Sequence, residues 1–356
     1  MIVSRREFLG LLGGTVVASS ALWPAGEVEA KAWSLEDFTR NIQSGGPPKD
    51  GIPPIDKPKY IPRTEAEKFL KSTDVVFGLA YQGIIKAYPQ KILVWHEIVN
   101  DEVNGEKISI TYCPLTGSAV GFRGASRDGT RLTFGTSGKL VNSNLLMYDR
   151  QTGSQWPQIL GVAVDGKNKG TVLDEISLAW TQWSRWRGQQ PDTLVLSTDT
   201  GHLRTYGRDP YGSSDQRANY YDSGGPLFPV MAKDNRFSPK EVVVGVKANG
   251  QQMAIQKQAM RNKKVTNTSL DGLPLVAIYD PDLDVVRVFV RRVGEKPTSF
   301  ASQKGRVVDE LTSSQWTLDG RAITGKAAGI QLKQQASFDV MWFAWYAFFP
   351  KTHVLA

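Results

Sequence analysis

The sequence predicts a mainly β protein of antiparallel sheets and hairpins with a few peripheral helices, a β-rich α+β fold. Three observations carry that expectation. Short β-branched and aromatic runs recur from Val75 onward, Asn-Gly or Asp-Gly dipeptides separate several of them, and few stretches place apolar residues at helical spacing. The 356 residues include 10 Trp, 11 Tyr and 14 Phe and are 40% hydrophobic and 22% charged, a composition that buries a sizeable core and excludes a disordered chain. A single cysteine excludes an intrachain disulfide and any cysteine-rich zinc or iron–sulfur cluster.

Residues 1–30 read as a Tat signal peptide. Arg5-Arg6 precedes the apolar stretch Leu9 to Ala18, which is too short for a membrane span, and Val28-Glu29-Ala30 has the small-x-small form of a cleavage site. The expectation is export by the Tat translocase, cleavage near Ala30, a periplasmic protein and no transmembrane anchor. Export in the folded state is the route that cofactor-loaded proteins commonly need.

Residues 31–63 form a Pro/Gly-rich strap, with Gly45-Gly46-Pro47-Pro48, Pro53-Pro54, Pro58 and Pro62 breaking regular structure. Thr64 with Glu67 suggests a capping box opening a short helix to Lys71. One β-rich domain then runs over 64–356, any division into halves falling near 225–240. Expected hairpins join Ile92–Asn100 to Glu106–Tyr112 across Asn104-Gly105, Ala119–Arg123 to Thr130–Phe134 across Asp128-Gly129, and Glu241–Lys247 to Gln251–Ile255 across Asn249-Gly250. Leu275–Asp280 pairs with Val285–Val293. Ser177–Arg187 is expected to be helical, with Trp180, Trp183 and Trp186 on one stripe, and the apolar run Val340–Phe349 to be a buried terminal element. No repeat of solenoid or propeller type is visible.

The formal net charge is +8, and residues 233–306 hold 14 Lys or Arg against 7 Asp or Glu. On an exported protein such a face suits an anionic envelope polymer or an acidic partner rather than nucleic acid.

One site has a geometric argument. A two-residue turn at Asn104-Gly105 pairs Val103 with Glu106, and continuing that register sets His96 across from Cys113, with β-carbons about 4.5–5.5 Å apart. A bulge near Asp101 would cancel the pairing. Pro114 ends the strand, so the thiol sits beside a loop. The pair could act as thiolate nucleophile and base, or with His202 as a third donor could hold a transition metal, copper or zinc. Met147, Glu97 and Asp149 are other third members. Phe134–Lys139 lacks the spacing of a phosphate loop.

These residues also suggest a family. Trp95-His96-Glu97-Ile98-Val99-Asn100-Asp101, Thr111-Tyr112-Cys113-Pro114-Leu115-Thr116-Gly117, Phe134-Gly135-Thr136-Ser137-Gly138, Asn142 to Arg150 and Ser154-Gln155-Trp156 resemble the bacterial and archaeal family called domain of unknown function 3179, over roughly residues 60–350. The resemblance implies an exported protein and supplies no reaction. Relatives can carry a second Cys where this chain has Thr116, so a dithiol couple is ruled out here. The function expected is an exported enzyme or metalloprotein with a Cys/His site at a hairpin end; the alternative is a non-catalytic envelope-binding protein using its basic face and exposed aromatics.

Overall fold

The computed structural model describes residues 32–125, 129–212, 219–221 and 224–356; the proposed leader and cleavage site and Asp128 lie outside them. No helix among the described residues is long and apolar enough to cross a membrane. The chain from Lys31 onward is one compact unit, mostly strand, with six short helices among the described residues.

Its plan is a tandem duplication. In the first half the hairpin Val75–Tyr81/Ile84–Pro89 is flanked by Ala179–Gln182 and, in parallel, by Leu194–Leu196. In the second half Val242–Ala248/Gln251–Gln256 is flanked by Ser337–Met341 and, in parallel, by His353–Leu355. Val76 pairs with Pro89 and Val243 with Gln256, an offset of 167 on both strands. The meander Ile98–Val103, Glu106–Cys113, Ser118–Arg123 recurs as Val265–Leu270, Leu273–Asp280, Val285–Val290, and the small sheet built on Phe134 recurs as the one built on Phe300.

Side chains repeat with the backbone. Asn100 donates to Phe134 O and accepts from its N–H, both at 2.9 Å; Asn267 does the same to Phe300 at 2.8 and 2.9 Å. Trp156 Nε1 donates to Asp149 Oδ2 at 2.9 Å, as Trp316 Nε1 does to Asp309 Oδ2. Trp186 lies over Gly78 and Trp345 over Gly245, each ring so close that a β-carbon would collide with it, which is why glycine stands at both strand centres. Each Trp then bonds the threonine seven residues on, Thr193 or Thr352.

The halves interlock. The turn after Cys113 packs against the second half, Met341 N–H donating to Thr116 O at 3.0 Å, while Thr181 of the first half donates to Leu283 O in the corresponding turn of the second. Cys113 and Leu115 therefore share a core with Phe338, Trp342 and Trp345, and Leu283 shares one with Trp183 and Trp186.

Several local expectations are corrected. Residues 31–63 include a helix, Leu35–Arg40, opened by a Ser34/Asp37 capping box. The next helix is Arg63–Ala66, capped by Pro62 without a side-chain bond, so Thr64 and Glu67 form no box. Trp180 lies on the strand Ala179–Gln182; the helix is Trp183–Gln189 and buries only Trp183 and Trp186. The apolar run ends the strand Ser337–Met341 and forms the buried helix Trp342–Phe348. The hairpins at Asn104-Gly105 and Asn249-Gly250 form in the expected registers. The duplication is not of solenoid type; its long period and sparse identities hide it from a scan for short repeats.

Candidate active site

Strand Ile98–Val103 keeps the expected register, Ile98 facing Thr111, but it starts two residues too late to carry His96. Residues 90–93 are helical, and His96 and Glu97 both donate to Leu93 O, prolonging that turn. Glu97 then takes φ 57°, and Ile98 N–H donates back to His96 O at 2.6 Å, a three-residue turn centred on Glu97. The carbonyl that receives Tyr112 N–H is consequently that of Glu97, at 2.7 Å. The tight turn moves His96 off the ladder and leaves the buried Glu97 carboxyl close enough for its charge to act on Cys113.

His96 is buried elsewhere. Its Nδ1 lies 2.7 Å from Pro53 O and its Nε2 2.7 Å from Tyr206 OH. A carbonyl only accepts, so Nδ1 holds the proton and Nε2 accepts from the phenol. Burial, with the charges of His202 and Arg204 nearby, lowers the imidazole pKa to about 4. The exposed His202 ring lies near His96 in a tilted arrangement, ring centres 5.5 Å apart and planes at 44°. The structure thus joins His96 to His202 and Tyr206, not to Cys113. Among the described residues no group of three His, Cys, Asp or Glu side chains could hold a metal, so the expected copper or zinc set of Cys113, His96 and His202 does not assemble. Met147 is buried in the core, and Asp149 is taken by Thr152 and Trp156.

Cys113 is 1% exposed, facing Ser118 across the ladder and receiving Leu145 N–H on Sγ at 3.4 Å. Burial first, then the neighbouring Glu97 carboxylate, push its pKa up to about 11. Glu97 is 7% exposed, its carboxyl has no hydrogen-bond or ion-pair partner among the described residues, and burial alone raises its pKa to about 8. Around Thr116 and Ser118, next to the thiol, lies a buried polar net. Ser118 Oγ donates to Gln158 Oε1 at 2.6 Å, Asn144 Nδ2 reaches Thr116 Oγ1 and Gln158 Oε1, and Gln158 Nε2 donates to Thr111 Oγ1 at 3.0 Å.

The duplicate serves as an internal control. Where the first half has Cys113, Glu97, Thr111, Thr116 and Ser118, the second has Asp280, Lys264, Ile278, Leu283 and Val285, by the 167 offset of the paired strands. Lys264 has the same left-handed backbone, φ 64°, yet its side chain is exposed, and Asp280 is ion-paired to Arg287. The turn is a property of the fold; the buried carboxyl, the thiol and the polar net belong to one copy. The segment joining the copies also serves that copy. Tyr221 OH donates to Asp209 and lies 3.3 Å from Tyr112 OH, Tyr220 OH donates to Leu115 O at 2.6 Å, and Tyr211 is close enough to feel the charges of Glu97 and Cys113. Nothing in residue spacing marks these tyrosines.

The model of the family described as Protein of unknown function (DUF3179) matches residues 49–352. The chain belongs to this family. No curated protein and no solved structure is significantly similar to it. In this DUF3179 member the matched region takes in the first copy with the Cys113 turn and the second copy as far as residue 352, short of the strand His353–Leu355, while the helix Leu35–Arg40 precedes it.

Proposed function

We propose that this DUF3179 protein is an exported enzyme whose reaction takes place at Cys113, with Glu97 as the group that takes up and returns the proton. The observation that carries this reading is the buried Glu97 carboxyl, with no hydrogen-bond or ion-pair partner among the described residues and within electrostatic reach of the only thiol, in the one copy of a duplicated fold that also holds a polar net and a tyrosine cover. A carboxyl titrating near 8 is suited to proton transfer at neutral pH. The resting thiol is protonated; as Sγ bonds to the electrophilic carbon of an acyl-type substrate its proton passes to ionised Glu97, the bond from that carbon to its leaving group breaks as Glu97 returns the proton to that group, and water then cleaves the S–C bond, one of its protons going back to Sγ. His96 acts in neither step, since both ring nitrogens are committed elsewhere.

The envelope-binding alternative finds less support. Lys247, Lys257, Arg261 and Arg287 of the basic segment are spent on Glu175, Asp339, Asp284 and Asp280, and no described Trp, Tyr or Phe is fully exposed. Periplasmic residence through the Tat route remains part of the proposal, resting on the twin-arginine leader.

The test is the rate at which a small methanethiosulfonate reagent modifies Cys113 between pH 6 and 11. With Glu97 present the thiol should titrate near 11, and Glu97→Gln should move the inflection down towards the ordinary thiol range by removing the neighbouring negative charge. An inflection unmoved by Glu97→Gln would sink the pairing. One already in the ordinary range in the native protein would mean that the thiol is solvated rather than held in a site.

A further inference from the structure

The two copies differ in how their sheet edges end. In the first copy residues 50–56 of the N-terminal strap close the outer edge of strand Ile98–Val103. Ile55 N–H donates to Ile98 O and Asn100 N–H donates to Ile55 O, both at 2.9 Å, and Ile55 is 1% exposed. The strap continues onto the neighbouring small sheet, where Asp50 N–H meets Thr136 O and Thr136 Oγ1 meets Ile52 O, and it is locked by Asp56, which takes Arg150 Nη1 at 2.6 Å and Asn100 Nδ2 at 2.7 Å.

In the second copy the corresponding edge is bare. Strand Val265–Leu270 pairs only with Leu273–Asp280, and among the described residues no backbone group pairs with the outward-facing Val265 O or Asn267 N–H. Asn267 and Ser302, the counterparts of Asn100 and Thr136, are exposed. Ile323 is 55% exposed where its counterpart Val164 is fully buried with Thr39 bonded to its carbonyl. Arg150 N–H donates to Thr133 O and Glu310 N–H donates to Ser299 O, which aligns those two residues, so a negative side chain stands where the first copy grips Asp56.

We propose that the open edge of strand Val265–Leu270 is a docking site for an extended segment of a partner protein, held by strand addition as the strap is held in the first copy. The chemistry of the occupant follows from the template. It needs an apolar residue where Ile55 sits, backbone groups free to pair with Val265 and Asn267, and a Lys or Arg in place of Asp56 to face Glu310. The chain's own strap, offered by a second copy, would set Asp56 against Glu310, which argues against exchange between copies.

The probe is a labelled nonapeptide of residues 49–57 carrying Asp56→Lys, compared with the unaltered peptide on the mature protein by fluorescence anisotropy. The substituted peptide should bind roughly fivefold tighter, the worth of exchanging a like-charged contact for an opposite one at a surface. Glu310→Lys, an exposed change that leaves the fold intact, should invert the order, and hydrogen exchange at the Asn267 amide should slow when peptide is present. Absence of saturable binding, an order that Glu310→Lys does not invert, or protection appearing at Asn100 instead would overturn the proposal. So would a stable dimer in which the Asn267 amide is already protected, since a second copy would then hold the edge. None of these readouts involves Cys113, so they stand or fall apart from the proposed reaction.

Discussion

Replacing Glu97 by Gln should stabilise this protein at neutral and alkaline pH, and by an amount that grows with pH. Glu97 titrates near 8 in the folded chain and near 4.5 when unfolded, because burial removes water from its carboxylate and nothing replaces it. Between those values the folded state holds a proton that the unfolded state has released. Its contribution to stability is fully present below pH 4.5 and is lost as pH rises through 8, at about 1.4 kcal/mol per pH unit and up to about 5 kcal/mol in all. Gln has nearly the same shape and no charge, so subtracting its stability from that of the native chain isolates this one group. Urea unfolding of both proteins at half-unit steps from pH 4 to 9 measures the difference. The two curves should run parallel below pH 4.5, diverge in favour of Glu97→Gln up to about pH 8, and run parallel again. A difference that stays flat across that range would refute the claim that burial raises the Glu97 pKa towards neutrality, and with it the basis for its role in proton transfer at Cys113.

Three further outcomes test the architecture. Gly78→Ala and Gly245→Ala should each cost about 3 kcal/mol in thermal or urea unfolding, because the new β-carbon would lie 2.3 Å from the Trp186 ring or 2.2 Å from the Trp345 ring; a neutral result at either would show that the rings can withdraw. Trp156→Phe and Trp316→Phe each delete a donor to a buried aspartate and should destabilise by similar amounts, roughly 1–3 kcal/mol; widely unequal losses by differential scanning calorimetry would contradict the equivalence of the copies. The His96 ring should stay neutral down to about pH 4 in nitrogen-15 NMR titration with a proton on Nδ1, and an inflection near 6.5 would show that it is solvated.

The part of the fold legible in the sequence is the part fixed by short-range chemistry. Asn104-Gly105 and Asn249-Gly250 demand left-handed turns, and their hairpins form in the registers that follow. The apolar run Val340–Phe349 is buried because ten apolar side chains have nowhere else to go. Motif wording sufficed to identify the DUF3179 family. The failure at His96 has a specific cause. The register holds as far as Ile98, but the strand does not continue to His96, because the helical turn 90–93 and the left-handed Glu97 intervene.

By itself the sequence determined the β class, the registers of the Asn104-Gly105 and Asn249-Gly250 hairpins and the family. Only the tertiary structure decided which carboxyl or imidazole lies near the Cys113 thiol, that the chain is two interlocked copies of one plan, and that a distant segment supplies tyrosines to one of them. The physical reason is range. Turn chemistry and side-chain alternation act over a few residues, whereas the neighbours of Cys113 are set by packing between strands and loops far apart in the chain, including the helix Trp342–Phe348 of the other copy.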